Sequence, residues 1–190
     1  MARKKEILNA SISLMYLNGY HGTSVKDITT AASLPKGSFY NYFENKEHYA
    51  VDALNHYYSE MITENIMILS DINRKPLDRI SEFFRFTINS FYTQEHRMGC
   101  FMGNMTQEMG NISEIISETV DELFNRIIEM IYFNLTEAYK LAMLEKEIDL
   151  KVLAGFIISG WQGTLLRMKT TKDLSILDEF MYMLNEKLLK

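Results

Sequence analysis

Proline occurs only twice in these 190 residues, at Pro35 and Pro76, and glycine nine times. These two residues punctuate strands and tight turns, so their scarcity argues against a many-stranded chain and for long helices. Both prolines precede helical patterns, where a fixed φ and a missing N–H cost little. Hydrophobic residues make up 47% and charged residues 24%, enough for a sizeable core in a soluble chain. The single cysteine, Cys100, excludes an internal disulfide and a cysteine-based zinc site. The opening Met1-Ala2-Arg3-Lys4-Lys5-Glu6 has no apolar run behind its charges, so it is not read as a secretory signal. The most apolar stretch, 152–168, contains Gln162 and Arg167 and reads as a buried helix, not a membrane span. A cytoplasmic protein is expected.

Apolar residues at helical spacing run through most of the chain. Ile7, Leu8, Ser11, Leu14 and Met15 form one stripe over 3–18, and Asn18-Gly19 ends it with a left-handed glycine. Ser24 with Asp27 three residues on reads as a capping box for a helix over 25–32. Ser33-Leu34-Pro35 is a turn, a short helix spans 36–43, and Asn45 caps a long helix from 46 to about 73. Two helices joined by a short turn, the second short and exposed, form the helix-turn-helix pattern. Later helices are expected over 76–93, 113–144, 149–170 and 174–189, while Gly-bounded, Met-rich 98–110 is expected to be irregular.

Charge supports a nucleic-acid role for the first segment. The net charge is −5 overall, but residues 1–50 hold six Lys/Arg against four Asp/Glu, whereas 51–190 hold fourteen against twenty-one. A basic end can face phosphates while the acidic body stays away from them. In the short second helix, Lys36 supplies charge, and Gly37 removes a Cβ where backbone would approach DNA. Tyr40, Asn41 and Tyr42 offer donors to phosphate oxygens. Phe39 could meet a thymine methyl, and Lys46 at a helix start could grip a phosphate.

The runs Gly19-Tyr20-His21-Gly22-Thr23-Ser24-Val25-Lys26-Asp27-Ile28, Pro35-Lys36-Gly37-Ser38-Phe39-Tyr40-Asn41-Tyr42-Phe43 and Asn45-Lys46-Glu47 resemble the DNA-binding region of the TetR family of transcriptional regulators. The match covers about residues 5–55. The resemblance implies an all-α chain of about nine helices. It divides into a three-helix DNA-binding domain (1–50) and a larger helical ligand-binding and dimerisation domain (51–190). It also implies a homodimer on a near-palindromic double-stranded operator, released by a small-molecule effector. By position it assigns Lys36, Gly37, Phe39 and Tyr40 to bases or the adjoining backbone, and Thr23, Ser38, Asn41, Tyr42 and Lys46 to phosphates. Leu34-Pro35 departs from the family, which commonly has polar residues there.

In the body, Phe83, Phe86, Met98, Cys100, Phe101, Met105, Phe124 and Trp161 are candidates to line a pocket for an apolar or aromatic molecule. Gly155, Ser159 and Gly163 recur every four residues. With Phe156 and the seam Leu177, Met181 and Leu184, they are the candidate dimer surface. The resemblance places these last two helices in a four-helix dimer bundle.

No phosphate-binding glycine loop, zinc-protease helix or hydrolase elbow is present in the sequence, so no enzyme, cofactor or metal is expected. His96 and Cys100, four apart, are only two potential ligands. Two alternatives to an effector-released repressor stay open: a regulator sensing electrophiles or oxidants through Cys100, and an adaptor whose helix-turn-helix binds protein.

Overall fold

In the computed structural model, which describes residues 2–93, 99–144 and 148–190, every regular element is a helix. His96 and Met98 lie outside the described residues. The helices are α1 (Ala2–Asn18), α2 (Val25–Ala31), a 3₁₀ helix (Lys36–Asn41), α3 (Lys46–His56), α4 (Thr63–Leu69), α5 (Pro76–Thr93), α6 (Phe101–Met109), α7 (Glu114–Lys140), α8 (Leu150–Thr171) and α9 (Ser175–Met183). Short π-type segments follow α3 (Tyr57–Met61) and α9 (Leu184–Leu188). No helix among the described residues is long and apolar enough to cross a membrane.

The chain forms two compact units. One holds 1–62 and 100–123, and the other holds 63–99 and 124–190. Residues 1–50 fall wholly inside the first, together with α6 and the start of α7.

In the first unit, Ile7, Leu8, Ile12 and Met15 of α1 bury against α2 and α3. Ser11 is buried with them. Its hydroxyl donates to Ile7 O at 2.6 Å and meets the Tyr49 hydroxyl at 2.7 Å, so the polar group is satisfied inside the core. Burial pushes the Tyr49 phenol up to about 12. Gly19 ends α1 with φ +78°, and the carboxylate of Glu108 lies where a Cβ would stand. Ser24 Oγ accepts from Asp27 N (3.2 Å), while Asp27 Oδ2 accepts from Ser24 N (2.8 Å), completing the capping box. Asn45 Oδ1 caps α3 by accepting from His48 N at 3.0 Å.

Two expectations fail here. The helix read as continuous from 46 to about 73 is interrupted: it loosens into the π-type segment and breaks at Ile62 before α4 begins. Residues 101–109 are helical, not irregular. Phe101, Met102, Met105 and Met109 share the buried face of α6, and that burial outweighs the flanking glycines.

The second unit is built on α5, α7, α8 and α9. Ile80, Phe84, Ile88 and Phe91 face its core, where Phe84, Trp161 and Phe180 pack with ring centres 5.0–5.3 Å apart. Asp149 starts α8 by accepting from Lys151 N and Val152 N.

Candidate nucleic-acid interface

The surface left open by the first unit is the 3₁₀ helix and its approaches. Pro35 holds φ at −60° with extended ψ, Ser38 N then donates to Pro35 O at 2.9 Å, and the turn closes in six residues. Lys36, Gly37 and Asn41 are exposed, and Tyr40 keeps 59% of its surface. Nothing of the chain lies within 4 Å of a Cβ placed on Gly37, so the space beside it belongs to whatever approaches from outside. Ser38 and Tyr42 are half-buried. Arg3, exposed at the start of α1, pairs with Glu6 at 2.7 Å and also lies beside Tyr42. Its position was not read from the sequence, where the only signal was the basic run 3–5.

Phe39 does not belong to this surface. It retains 1% of its exposure and packs on Phe43 (5.1 Å) and Tyr49 (6.0 Å), so it cannot reach a base edge. One turn of helix can point only one face outward; Tyr40 has it, and Phe39 anchors the turn to α3. Thr23 is likewise fully buried. Its hydroxyl serves the carbonyls of Gly19 (2.9 Å) and Leu14 (3.3 Å), not a phosphate. Lys46 is half-buried and donates to Tyr20 O (2.9 Å) and Thr23 O (3.1 Å), with its ammonium 4.1 Å from the Tyr20 ring centre. Desolvation holds its pKa below the ordinary lysine value. Lys46 therefore staples the 20–23 loop and has at most one donor left for anything outside.

Two further contacts hold this reader from behind. Glu108 Oε2 of α6 accepts from His21 N at 3.1 Å, and Ser113 Oγ donates to Glu47 Oε2 at 2.9 Å. Nothing in sequence spacing links these residues.

The other sequence candidates are distributed as follows. Phe101 and Met105 are fully buried in the first unit, and the Phe101 ring meets those of Tyr16 and Tyr57 at steep angles, with centres 5.6 Å apart in each pair. Cys100, at the N-cap of α6, is half-buried. In the second unit Phe83 and Trp161 are buried, Phe124 is half-buried, and Phe86 is 40% exposed. On α8, Phe156, Ser159 and Gly163 are exposed and Gly155 half-buried, with open space over both glycines. Leu177 and Leu184 are 0% exposed, covered by the chain's own core; the seam that suggested a partner is an internal one, and Met181 is half-buried beside it.

Residues 76–184 match the family model described as the tetracyclin repressor-like C-terminal domain, and residues 7–49 match that of the bacterial regulatory proteins of the tetR family. The chain belongs to the TetR family. This TetR-family chain is 29% identical to the HTH-type transcriptional repressor DhaR of Mycobacterium sp., over 98% of this chain and 92% of that one. It is also 29% identical to the transcriptional regulator AcuR of Cereibacter sphaeroides, over 87% and 75%. The reduced form of NemR from E. coli shares its fold, with a TM-score of 0.88 at 22% identity, covering 98% of this chain and 96% of that one. A TetR regulatory protein from Rhodobacter sphaeroides superposes with a TM-score of 0.87 at 24% identity, covering 98% of each. This TetR-family member is a transcriptional regulator whose helix-turn-helix spans α2 and the 3₁₀ helix.

Proposed function

We propose that the protein is a repressor that binds a near-palindromic operator as a homodimer and is released by a small apolar or aromatic molecule. The observation that carries the reading is the outward face of the 3₁₀ helix: Lys36, Gly37, Tyr40 and Asn41 stand exposed on a turn that Phe39 and Phe43 anchor from within. In this reading Lys36, Gly37 and Tyr40 meet base edges. Ser38, Asn41 and Tyr42 meet phosphates, joined by Arg3. The relatives DhaR and NemR carry the name repressor, which supports repression over activation.

A single short 3₁₀ turn with few cations has little affinity alone. Two copies in successive major grooves, about 34–36 Å apart, supply it. The partner surface is the outer side of α8, where Val152 (62%), Phe156 (60%) and Leu166 (47%) are exposed around Gly155, Ser159 and Gly163. Tyr182 and Met183, exposed at the end of α9, extend it. Footprinting on the DNA upstream of the protein's own coding sequence tests the reading. Protection of two half-sites one helical turn apart is expected, and uniform, unprotected cleavage would contradict it.

A second reading rests on Cys100. Its half-buried thiol stands at the N-cap position of α6. Alkylation that weakens DNA binding of the wild type but not of Cys100→Ser would favour it; equal loss in both would exclude it.

A further inference from the structure

The second unit contains a cleft of about 550 Å³ between the end of α4, the start of α5 and the outer face of α7. None of the residues weighed above as an effector pocket lines it. Its walls include Leu69, Ile72, Met130 and Phe133, and Ile72 and Phe133 are 85% and 65% exposed. Large apolar groups left in water around a cleft of this size are the ordinary signature of a small-molecule site.

One polar residue in the wall is unusual. Arg79 is 4% exposed, yet it lines the cleft. Its Nε donates to Asp71 O (2.7 Å) and Arg74 O (2.9 Å), and its Nη1 to Asn134 Oδ1 (3.1 Å) and Glu137 Oε2 (2.7 Å). Its Nη2 donates to nothing among the described residues. Nη2 is not among the buried atoms left without a partner, so it is the solvent-accessible edge of an otherwise desolvated guanidinium, where an acceptor in the cleft takes the place of water. Asn134 is not available to help, because its Nδ2 is committed to Leu69 O and Met130 O.

The charges decide what kind of acceptor fits. Glu137 pairs with Arg79 itself at 2.7 Å, and Glu129, at the other end of the cleft, pairs with Lys151 at 2.7 Å. The cation is therefore already balanced, and a second anion would meet Glu137 and Glu129 as neighbours. We infer that this cleft binds an uncharged apolar molecule bearing a carbonyl oxygen, with the oxygen on Arg79 Nη2 and the hydrocarbon against Ile72, Met130 and Phe133. The site stands apart from the operator-binding reading and does not depend on it.

Calorimetric titration of the full-length protein, without DNA, tests this with three probes of one shape: acetylnaphthalene, ethylnaphthalene and naphthoate. The ketone should bind once per chain; the hydrocarbon should bind about tenfold or more weakly, the loss expected when a charged donor goes unmet, and the anion should also bind more weakly because it meets Glu137 and Glu129. Ile72→Asp and Phe133→Asp change only exposed side chains, so the fold should survive, and each should weaken the ketone by about tenfold or more. Equal affinity for ketone and hydrocarbon, tighter binding of naphthoate, unchanged affinity in both variants, or no binding of the ketone would each overturn the inference.

Discussion

The ammonium of Lys46 lies 2.9 Å from the carbonyl oxygen of Tyr20 and 4.1 Å from the centre of its ring. A lysine whose position in the helix-turn-helix suggests a phosphate clamp is first a fastener for the loop that precedes α2. Lys46→Met should therefore lower folding stability by about 1–2 kcal/mol, the scale of lost charged hydrogen bonds at a partly wet site. It should weaken binding to all DNA sequences alike. Urea denaturation alongside anisotropy titration checks both. A variant with full stability and a salt slope reduced by one charge would return Lys46 to the phosphates.

Adjacent aromatics in the 3₁₀ helix should separate cleanly. Phe39→Ala removes a ring buried between Phe43 and Tyr49 and should cost about 3–4 kcal/mol of stability. Tyr40→Ala removes an exposed ring and should leave stability within about 0.5 kcal/mol while reducing DNA affinity. Thermal melts of the two variants, read beside their DNA titrations, compare them directly.

The capping box gives a pH signature. Hydrogen bonds from the hydroxyl and backbone N–H of Ser24 hold the Asp27 carboxyl below the ordinary aspartate value. A carboxylate with a depressed folded-state pKa adds stability that is fully present above the unfolded value of about 3.9, and that stability is lost as pH falls through the folded pKa. Asp27→Asn should thus be less stable than wild type at about pH 6, with the gap closing towards about pH 3. Denaturant midpoints at the two pH values measure it.

The open side of α8 predicts an assembly phenotype. Phe156→Asp places a charge on an exposed position and should leave the monomer folded while abolishing dimers in sedimentation velocity. Leu177→Ala, in the chain's own core, should instead cost about 2–4 kcal/mol of stability.

These contrasts mark what the sequence could and could not say. Caps are local chemistry, so Ser24, Asn45 and the left-handed Gly19 were legible from residue type and spacing alone. Burial partners are not local. The stripe through Leu177 and Leu184 has the same period whether a second chain or this one covers it, and Phe39 beside Tyr40 offers no clue to which ring turns inward. Phe101, Met102, Met105 and Met109 did carry a helical pattern, but two glycines at the edge of a short segment obscured it. The break at Ile62 has no proline or glycine to announce it. The hydrogen bonds of Glu108 and Ser113 to the reader, and those of Arg79 to Asn134 and Glu137, link residues 55 or more apart in the chain.

The most direct measurement is fluorescence anisotropy with a duplex from upstream of the protein's own coding sequence, run against a scrambled duplex at fixed salt, for wild type, Lys36→Ala and Tyr40→Ala. The wild type should bind the native duplex at least about a thousandfold more tightly than the scrambled one, at two chains per site. Each variant should lose about 1–3 kcal/mol of that discrimination. Equal affinity for both duplexes, or discrimination untouched by both substitutions, would contradict the assignment of this surface to operator recognition.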